Sequence, residues 1–303
     1  MRPVAIGVQL PEVERPVGWP ELRDIATTAE AVGLDSIWVG DHLLYRDDHG
    51  TRGPWEAWTL LAALGEATER VTIGPLVAAT AFHNPGMLAK QAATVDEISG
   101  GRLVLGLGAG WNRIEFDAFD FPYDHRASRF AEAFTIIRTL VREGAIDFEG
   151  RFHVARDLEL VPPARPDLPL MIGSVGPRVL RATLPHVDLW NGWHDWFGND
   201  PDQLAEMVAG VADTCRSVGR DPAEVGMTAA VAVAAPGGSG RRAGGRGRPP
   251  TSALAGSPDQ VAERLAAFGS IPGVDHLQVV LDPIDVPAVE WLGDVVGRLE
   301  ASR

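Results

Sequence analysis

Short apolar, β-branched runs alternate along the chain with longer stretches whose apolar positions recur every three to four residues. The short runs predict strands over 4–9, 36–39, 72–77, 103–107, 170–172, 189–191, 226–233 and 276–281. The longer stretches predict helices beginning near Trp19, Glu56, Pro85, Arg126, Pro177, Pro201, Pro258 and Val286. Strict alternation of this kind argues for a parallel sheet, and eight units are the number that closes a (β/α)8 TIM barrel. The helix starts agree. Asn84-Pro85, Gly176-Pro177, Asp200-Pro201 and Ser257-Pro258 each set a cap position before a proline, whose missing N–H would have no partner in the first turn anyway. Ser257 with Gln260 three residues on also has capping-box spacing.

Two segments depart from the alternation. Residues 146–162, turning at Gly150, predict a short hairpin inserted before the fifth strand. Residues 234–250 are rich in Gly, Pro and Arg, with Arg241, Arg242, Arg246 and Arg248 and no acid, a composition that predicts a mobile loop. Composition then narrows the class. With 45% hydrophobic and 22% charged residues, 303 residues suit one large barrel domain spanning 1–303. A net charge of −14 repels phosphate backbones and acidic membrane surfaces, so nucleic acid and membrane are not expected partners. Cys215 is the one cysteine, which excludes an internal disulfide and a cysteine-rich metal site. No apolar run reaches the roughly 20 residues that span a bilayer, and residues 1–8 lack the apolar stretch of a signal peptide. The expectation is a cytoplasmic protein acting on a small molecule, with a homodimer left open.

In such a barrel the chemistry sits at the carboxyl ends of the strands. There the chain places Asp41-His42, Thr80, the run Gly106-Leu107-Gly108-Ala109-Gly110-Trp111-Asn112, Gly173-Ser174-Val175-Gly176, and Gly192-Trp193-His194. Glycine, aromatic and histidine residues crowd these ends, and paired carboxylates do not. The alternating glycines either let a flat ligand approach the backbone or allow tight packing at the rim. Gly173-Ser174-Val175-Gly176-Pro177 leads into a helix start, where free N–H groups and the helix dipole attract an anion. Seven tryptophans (Trp38, Trp55, Trp58, Trp111, Trp190, Trp193 and Trp196) fall in strands or near this rim, suiting a planar, partly apolar ring. Trp38 and Trp190, inside strands, read as core. Trp111, Asn112, Trp193 and His194 are the substrate-pocket candidates. His42 is placed either to move a proton near neutral pH or to hold structure. Histidines at ligand spacing are lacking, so no metal site is expected.

Several of these stretches, in order, resemble the luciferase-like monooxygenase superfamily: 33–42 (Gly-Leu-Asp-Ser-Ile-Trp-Val-Gly-Asp-His), Asn84-Pro85 with Leu88-Ala89-Lys90-Gln91, 99–112, Phe148-Glu149-Gly150-Arg151-Phe152 and Ile172-Gly173-Ser174. The wording is most similar to the branch that uses the deazaflavin coenzyme F420. The resemblance covers nearly the whole chain and fails around 234–255. It implies a (β/α)8 barrel with F420 in its mouth and a cis peptide at Leu76-Val77 behind the ring. It further implies that Asp41 and Thr80 meet the ring's polar edge, that Gly108, Ala109 and Gly110 line its path, and that Ser174, Val175 and Gly176, following Gly173, take its phosphate. His42 matches the proton donor of the family's sugar-phosphate dehydrogenases. Those enzymes carry a glutamate base where this chain has Trp111, so the resemblance points away from sugar-phosphate oxidation and toward reduction of an activated C=C, C=N or C=O bond. An FMN-dependent monooxygenase and a catalytically inactive cofactor-binding barrel are the alternatives on this fold.

Overall fold

In the computed structural model, which describes residue 2 and residues 4–47, 50–238 and 252–301, every predicted strand forms within a residue or two of its expected place. In chain order the elements are β1 (Ala5–Gln9), α1 (Trp19–Ala31), β2 (Ser36–Val39), β3 (Tyr45–Asp47), β4 (Gly50–Arg52), α2 (Ala57–Ala67), β5 (Thr72–Pro75), β6 (Ala78–Ala79), α3 (Pro85–Ile98) and β7 (Leu105–Gly108). Then follow α4 (Arg113–Phe119), α5 (Arg126–Glu143), β8 (Ala145–Glu149), β9 (Val154–Glu159), β10 (Leu170–Ile172), α6 (Pro177–Thr183) and β11 (Leu189–Gly192). The chain closes with α7 (Pro201–Ser217), β12 (Gly226–Ala234), α8 (Pro258–Gly269), β13 (Val274–Asp282) and α9 (Val286–Ala301).

The main sheet runs β5-β2-β1-β13-β12-β11-β10-β7-β6. The predicted third strand, 72–77, ends early at Pro75: the Leu76–Val77 peptide is cis, and pairing resumes at Ala78 as β6. β7 pairs with β6 through Ala78↔Leu107, and Leu103, just before β7, bridges to Ile73 of β5. The ring therefore closes with eight staves, the expected barrel. Its strands are buried on both faces, so residues 227–233 of β12 are all buried and are apolar except for Thr228.

The helices pack outside by the spacing that predicted them. In α1, Leu22, Ile25, Ala26 and Ala29 form the buried stripe. Asn84, Asp200 and Ser257 cap α3, α7 and α8 with their side chains, and Ser257 with Gln260 completes the capping box. Inside the barrel, Trp38, Leu76, Val104, Met171, Ala230 and Val280 fill the lumen. A polar layer lies among them, where Asn191 Nδ2 donates to Thr228 Oγ1 (2.8 Å) and Gln278 Oε1 (2.7 Å).

The hairpin expected before the fifth strand is β8–β9, turning at Gly150, whose N–H donates to His153 O. The loop expected over 234–250 begins later than expected. Ala234 ends β12, and Ala235 is buried with its N–H bonded to Asp282 O. Arg241, Arg242, Arg246 and Arg248 lie outside the described residues. The β3–β4 hairpin and α4 have no counterpart in the sequence reading. Among the described residues no helix is long and apolar enough to cross a membrane.

Candidate active site

The mouth of the barrel is shaped first by Val77. A Cβ added at Gly108 would fall 2.7 Å from Val77 Cγ2 and one at Gly173 would fall 3.0 Å from Val77 Cγ1, while one at Gly106 would fall 2.3 Å from Pro75 O as well as 3.0 Å from Val77 Cγ1. Three glycines from two strand ends thus seat one valine. Of the two readings open for the glycine run, close packing is what occupies Gly106 and Gly108. Gly110 has a different reason: its φ of +69° favours glycine. The ridge made by Leu76 and Val77 is held rigidly against the lumen residues Trp38, Val104 and Met171, and Trp193 packs on the same group.

Beside this ridge, the loop after β2 carries His42. Its Nδ1 lies 3.1 and 3.0 Å from the two carboxylate oxygens of Glu115, a fully buried residue in the first turn of α4. Glu115 Oε1 also accepts from the backbone N–H of Leu43 (2.6 Å) and Leu44 (3.3 Å), while Asn112 Nδ2 donates to Leu44 O (3.0 Å). Loop 42–44 is therefore gripped from α4 by two side chains. On the other side, Tyr45 Oη donates to Glu12 Oε1 (2.8 Å) and Gln9 Nε2 donates to Glu12 Oε2 (3.0 Å). The rings of His42, Tyr45 and Trp111 meet with centroids 4.9, 5.7 and 6.4 Å apart.

Burial pushes the His42 imidazole down, but Glu12, Glu115 and Asp41 outweigh it, and the net shift is upward from the ordinary histidine value. Burial beside Glu12 drives the Tyr45 phenol well above its usual range. The expectation that paired carboxylates do not crowd the strand ends fails here: Glu12, Asp41 and Glu115 gather around one histidine. Glu12 and Glu115 are the residues that sequence reasoning missed. Asn112 and Glu115 have capping-box spacing, yet α4 has no side-chain cap; both side chains turn outward to loop 42–44 instead.

The remaining candidates divide by what already engages them. Asp41 Oδ2 accepts from Ala79 N–H and contacts His83 Nε2, both at 2.8 Å. Thr80 Oγ1 donates to Gly108 O (3.1 Å). Both are buried and hold the backbone just past the cis peptide. Ser174 Oγ accepts from Gly176 N–H (3.1 Å), and Trp190 Nε1 donates to Ser174 O (2.9 Å), so the 173–176 turn is pinned with Val175 against the core. Ala109 lines a cavity of about 30 Å³ with Thr80, His83, Arg126 and Arg129. His194 is 1% exposed, with Nδ1 2.9 Å from Asp195 Oδ1 and its ring against Trp193. Trp38 and Trp190 are core, as expected. Trp58, expected at the rim, is buried too because α2 turns it inward onto His83. Among the described residues no cluster of three or more potential ligands could hold a metal ion.

Comparison with known proteins accords with this architecture. The chain is 34% identical over 166 residues to an F420-dependent glucose-6-phosphate dehydrogenase of Amycolatopsis mediterranei, covering 53% of this chain and 49% of that one. It is 32% identical over 197 residues to the enzyme so named in Microbacterium testaceum, covering 64% and 57%. The chain thus spans about half the length of these relatives. Among solved structures, an F420-dependent secondary alcohol dehydrogenase matches with a TM-score of 0.80 at 19% identity, over 99% of both chains. A long-chain alkane monooxygenase matches with a TM-score of 0.80 at 13% identity, over 98% of this chain and 91% of that one. At these identities the structures establish the fold. The model of the luciferase-like monooxygenase family matches residues 4–236, and the chain belongs to that family.

Proposed function

We propose that this protein is a coenzyme F420-dependent oxidoreductase that reduces an activated C=C, C=N or C=O bond of a small organic substrate. The observation that carries this reading is His42, held at the barrel mouth among Glu12, Asp41 and Glu115 and facing Trp111. The relatives named F420-dependent dehydrogenases support the choice of coenzyme.

The residues present fit such a coenzyme. Leu76 and Val77 offer a fixed apolar ridge for a flat tricyclic ring, with Trp193 alongside. Gln9 Oε1, buried at the end of β1 without a hydrogen-bond partner, is an acceptor that a ligand N–H or O–H would satisfy. Gly108, Ala109 and Gly110 would border the ring, and the Gly173, Ser174, Val175 and Gly176 turn would receive the phosphate. When bound in its reduced form, F420 supplies hydride and reacts poorly with oxygen. The protein orients it and excludes water. His42, with its raised affinity for a proton, would protonate the atom next to the carbon that is reduced. Trp111 gives the substrate an apolar wall where a base would otherwise stand.

Fluorescence titration with F420 and FMN, followed by oxidation of reduced F420 with ketones, imines and enones under argon and air, tests the reading. The expected result is F420 binding tighter than FMN by about tenfold or more, with turnover that needs no oxygen. Tighter FMN binding with oxygen uptake would establish the monooxygenase reading instead. F420 binding without turnover on any acceptor would leave an inactive cofactor-binding barrel.

A further inference from the structure

We infer that Glu115 is a positioning residue, which fixes His42 as its Nδ1–H tautomer and leaves Nε2 as the nitrogen that exchanges a proton with substrate. The inference rests on the reading of His42 as the proton-transfer residue. It concerns a side chain 73 positions away in sequence, brought to His42 by α4.

With Glu115 as a carboxylate, the geometry admits one arrangement of protons. A carboxylate only accepts hydrogen bonds. With both Glu115 oxygens 3.0–3.1 Å from Nδ1, that nitrogen must be the donor. The carboxylate cannot turn away, because Oε1 is anchored by the N–H groups of Leu43 and Leu44 and the residue is fully buried. The ring is therefore locked by the same anchor that shapes its loop, as a histidine is set by the partner of its other nitrogen in many sites. The charged and titratable groups facing His42 are Glu12 from the segment after β1, Asp41 from its own loop, Tyr45 from β3 and Glu115 from α4. Burial opposes the protonated ring, and the three acids outweigh it.

The Glu115→Gln variant isolates the role. The two backbone N–H groups at Oε1 select the amide oxygen for that place, so the amide NH2 must take the place facing Nδ1. A neutral His42 then has to accept at Nδ1 and carry its proton on Nε2. The tautomer inverts and a negative charge is lost, so the affinity of His42 for a proton falls.

The test is nitrogen-15 NMR of the full chain labelled at histidine, with pH profiles of F420-dependent turnover. The parent protein should show neutral His42 protonated at Nδ1 and titrating above the ordinary histidine value. Glu115→Gln should show the Nε2–H form, and the alkaline fall of kcat should move to lower pH. Its kcat near neutrality should drop by roughly 10²–10⁴, as for a misoriented catalytic histidine, with F420 affinity within about twofold. Glu115→Asp, which keeps a carboxylate, should restore the Nδ1–H form and part of the activity. An Nε2–H tautomer in the parent protein would overturn the inference, and so would a Gln variant with unchanged tautomer and pH profile. If the Gln variant does not fold, the parent spectrum alone decides. Full activity in His42→Ala would instead overturn the reading of His42 itself, which is a separate measurement.

Discussion

His42 at the barrel mouth and His276 toward the opposite end are both partly buried rings with one short polar contact through a ring nitrogen. At His42 the partner is a carboxylate and two further acids stand nearby, so the ring holds its proton more firmly than usual. At His276 the partner is Ser36 Oγ, 2.7 Å from Nε2. That hydroxyl also accepts from Trp38 Nε1 at 2.6 Å and carries no charge that would hold a proton on the histidine. The nearby acid, Asp35, is tied to Arg2 at 2.9 Å, and the two oppose each other. Burial then decides, and His276 is pushed down to about 4. Burial alone lowers a histidine's affinity for a proton; burial among carboxylates raises it.

The largest expected difference is in turnover. His42→Ala should reduce F420-dependent kcat by roughly 10²–10⁴, about 3–5 kcal/mol in barrier height, while F420 affinity measured by titration stays near that of the parent. Near-parental turnover would erase the distinction between the two histidines.

A smaller difference lies in stability against pH. The folded state holds His276 neutral down to about 4, whereas the unfolded chain protonates it near 6.5. Between these values the unfolded state binds more protons, so stability falls as pH falls. The loss from pH 6.5 to 5 should be about 2 kcal/mol at most, since the ring keeps a partly solvated edge. His42 has the opposite sign. Its raised value adds stability that is fully present below 6.5 and is lost as pH rises through the folded value, so it is silent in this window. His153 and His186 are also lowered by burial and slope the same way as His276. Urea unfolding of parent and His276→Gln at both pH values separates them: the variant should lose less on acidification, and equal losses would remove His276 as the cause.

The smallest expected effect completes the comparison. His276→Gln should leave kcat at neutral pH within about twofold of the parent, as expected of a group that donates no proton to substrate. A tenfold loss would mean that the two ends of the barrel are coupled.

The barrel was legible because its signals are local and repeated. Apolar runs between stretches of helical period appear eight times, and the prolines after Asn84, Asp200 and Ser257 mark helix starts that the structure confirms. His42 was legible as well, lying directly after a strand. Its surroundings were not. Glu115 sits in a seven-residue helix, Arg113–Phe119, too short to show a period, and its spacing from Asn112 imitates an ordinary cap. Glu12 follows β1 in a run with Glu14, and only the fold brings it to Tyr45. The roles of Gly106 and Gly108 depend on Pro75 and on Val77, between β5 and β6, contacts that no local pattern encodes.

That seat for Val77 constrains how the mouth can vary. Alanine at Gly108 collides with Val77 unless Val77 shrinks, and shrinking Val77 alone leaves a void among Gly106, Gly108 and Gly173. Val77, Gly108 and Gly173 behave as one epistatic unit, while Gly106 is fixed independently by Pro75 O, 2.3 Å from where its Cβ would stand. A library that changes these three singly would score each as intolerant, whereas exchanges that move volume from Val77 to Gly108 or Gly173 would keep the packing and reshape the ridge. Reshaping the pocket of this barrel is therefore a matter of paired steps.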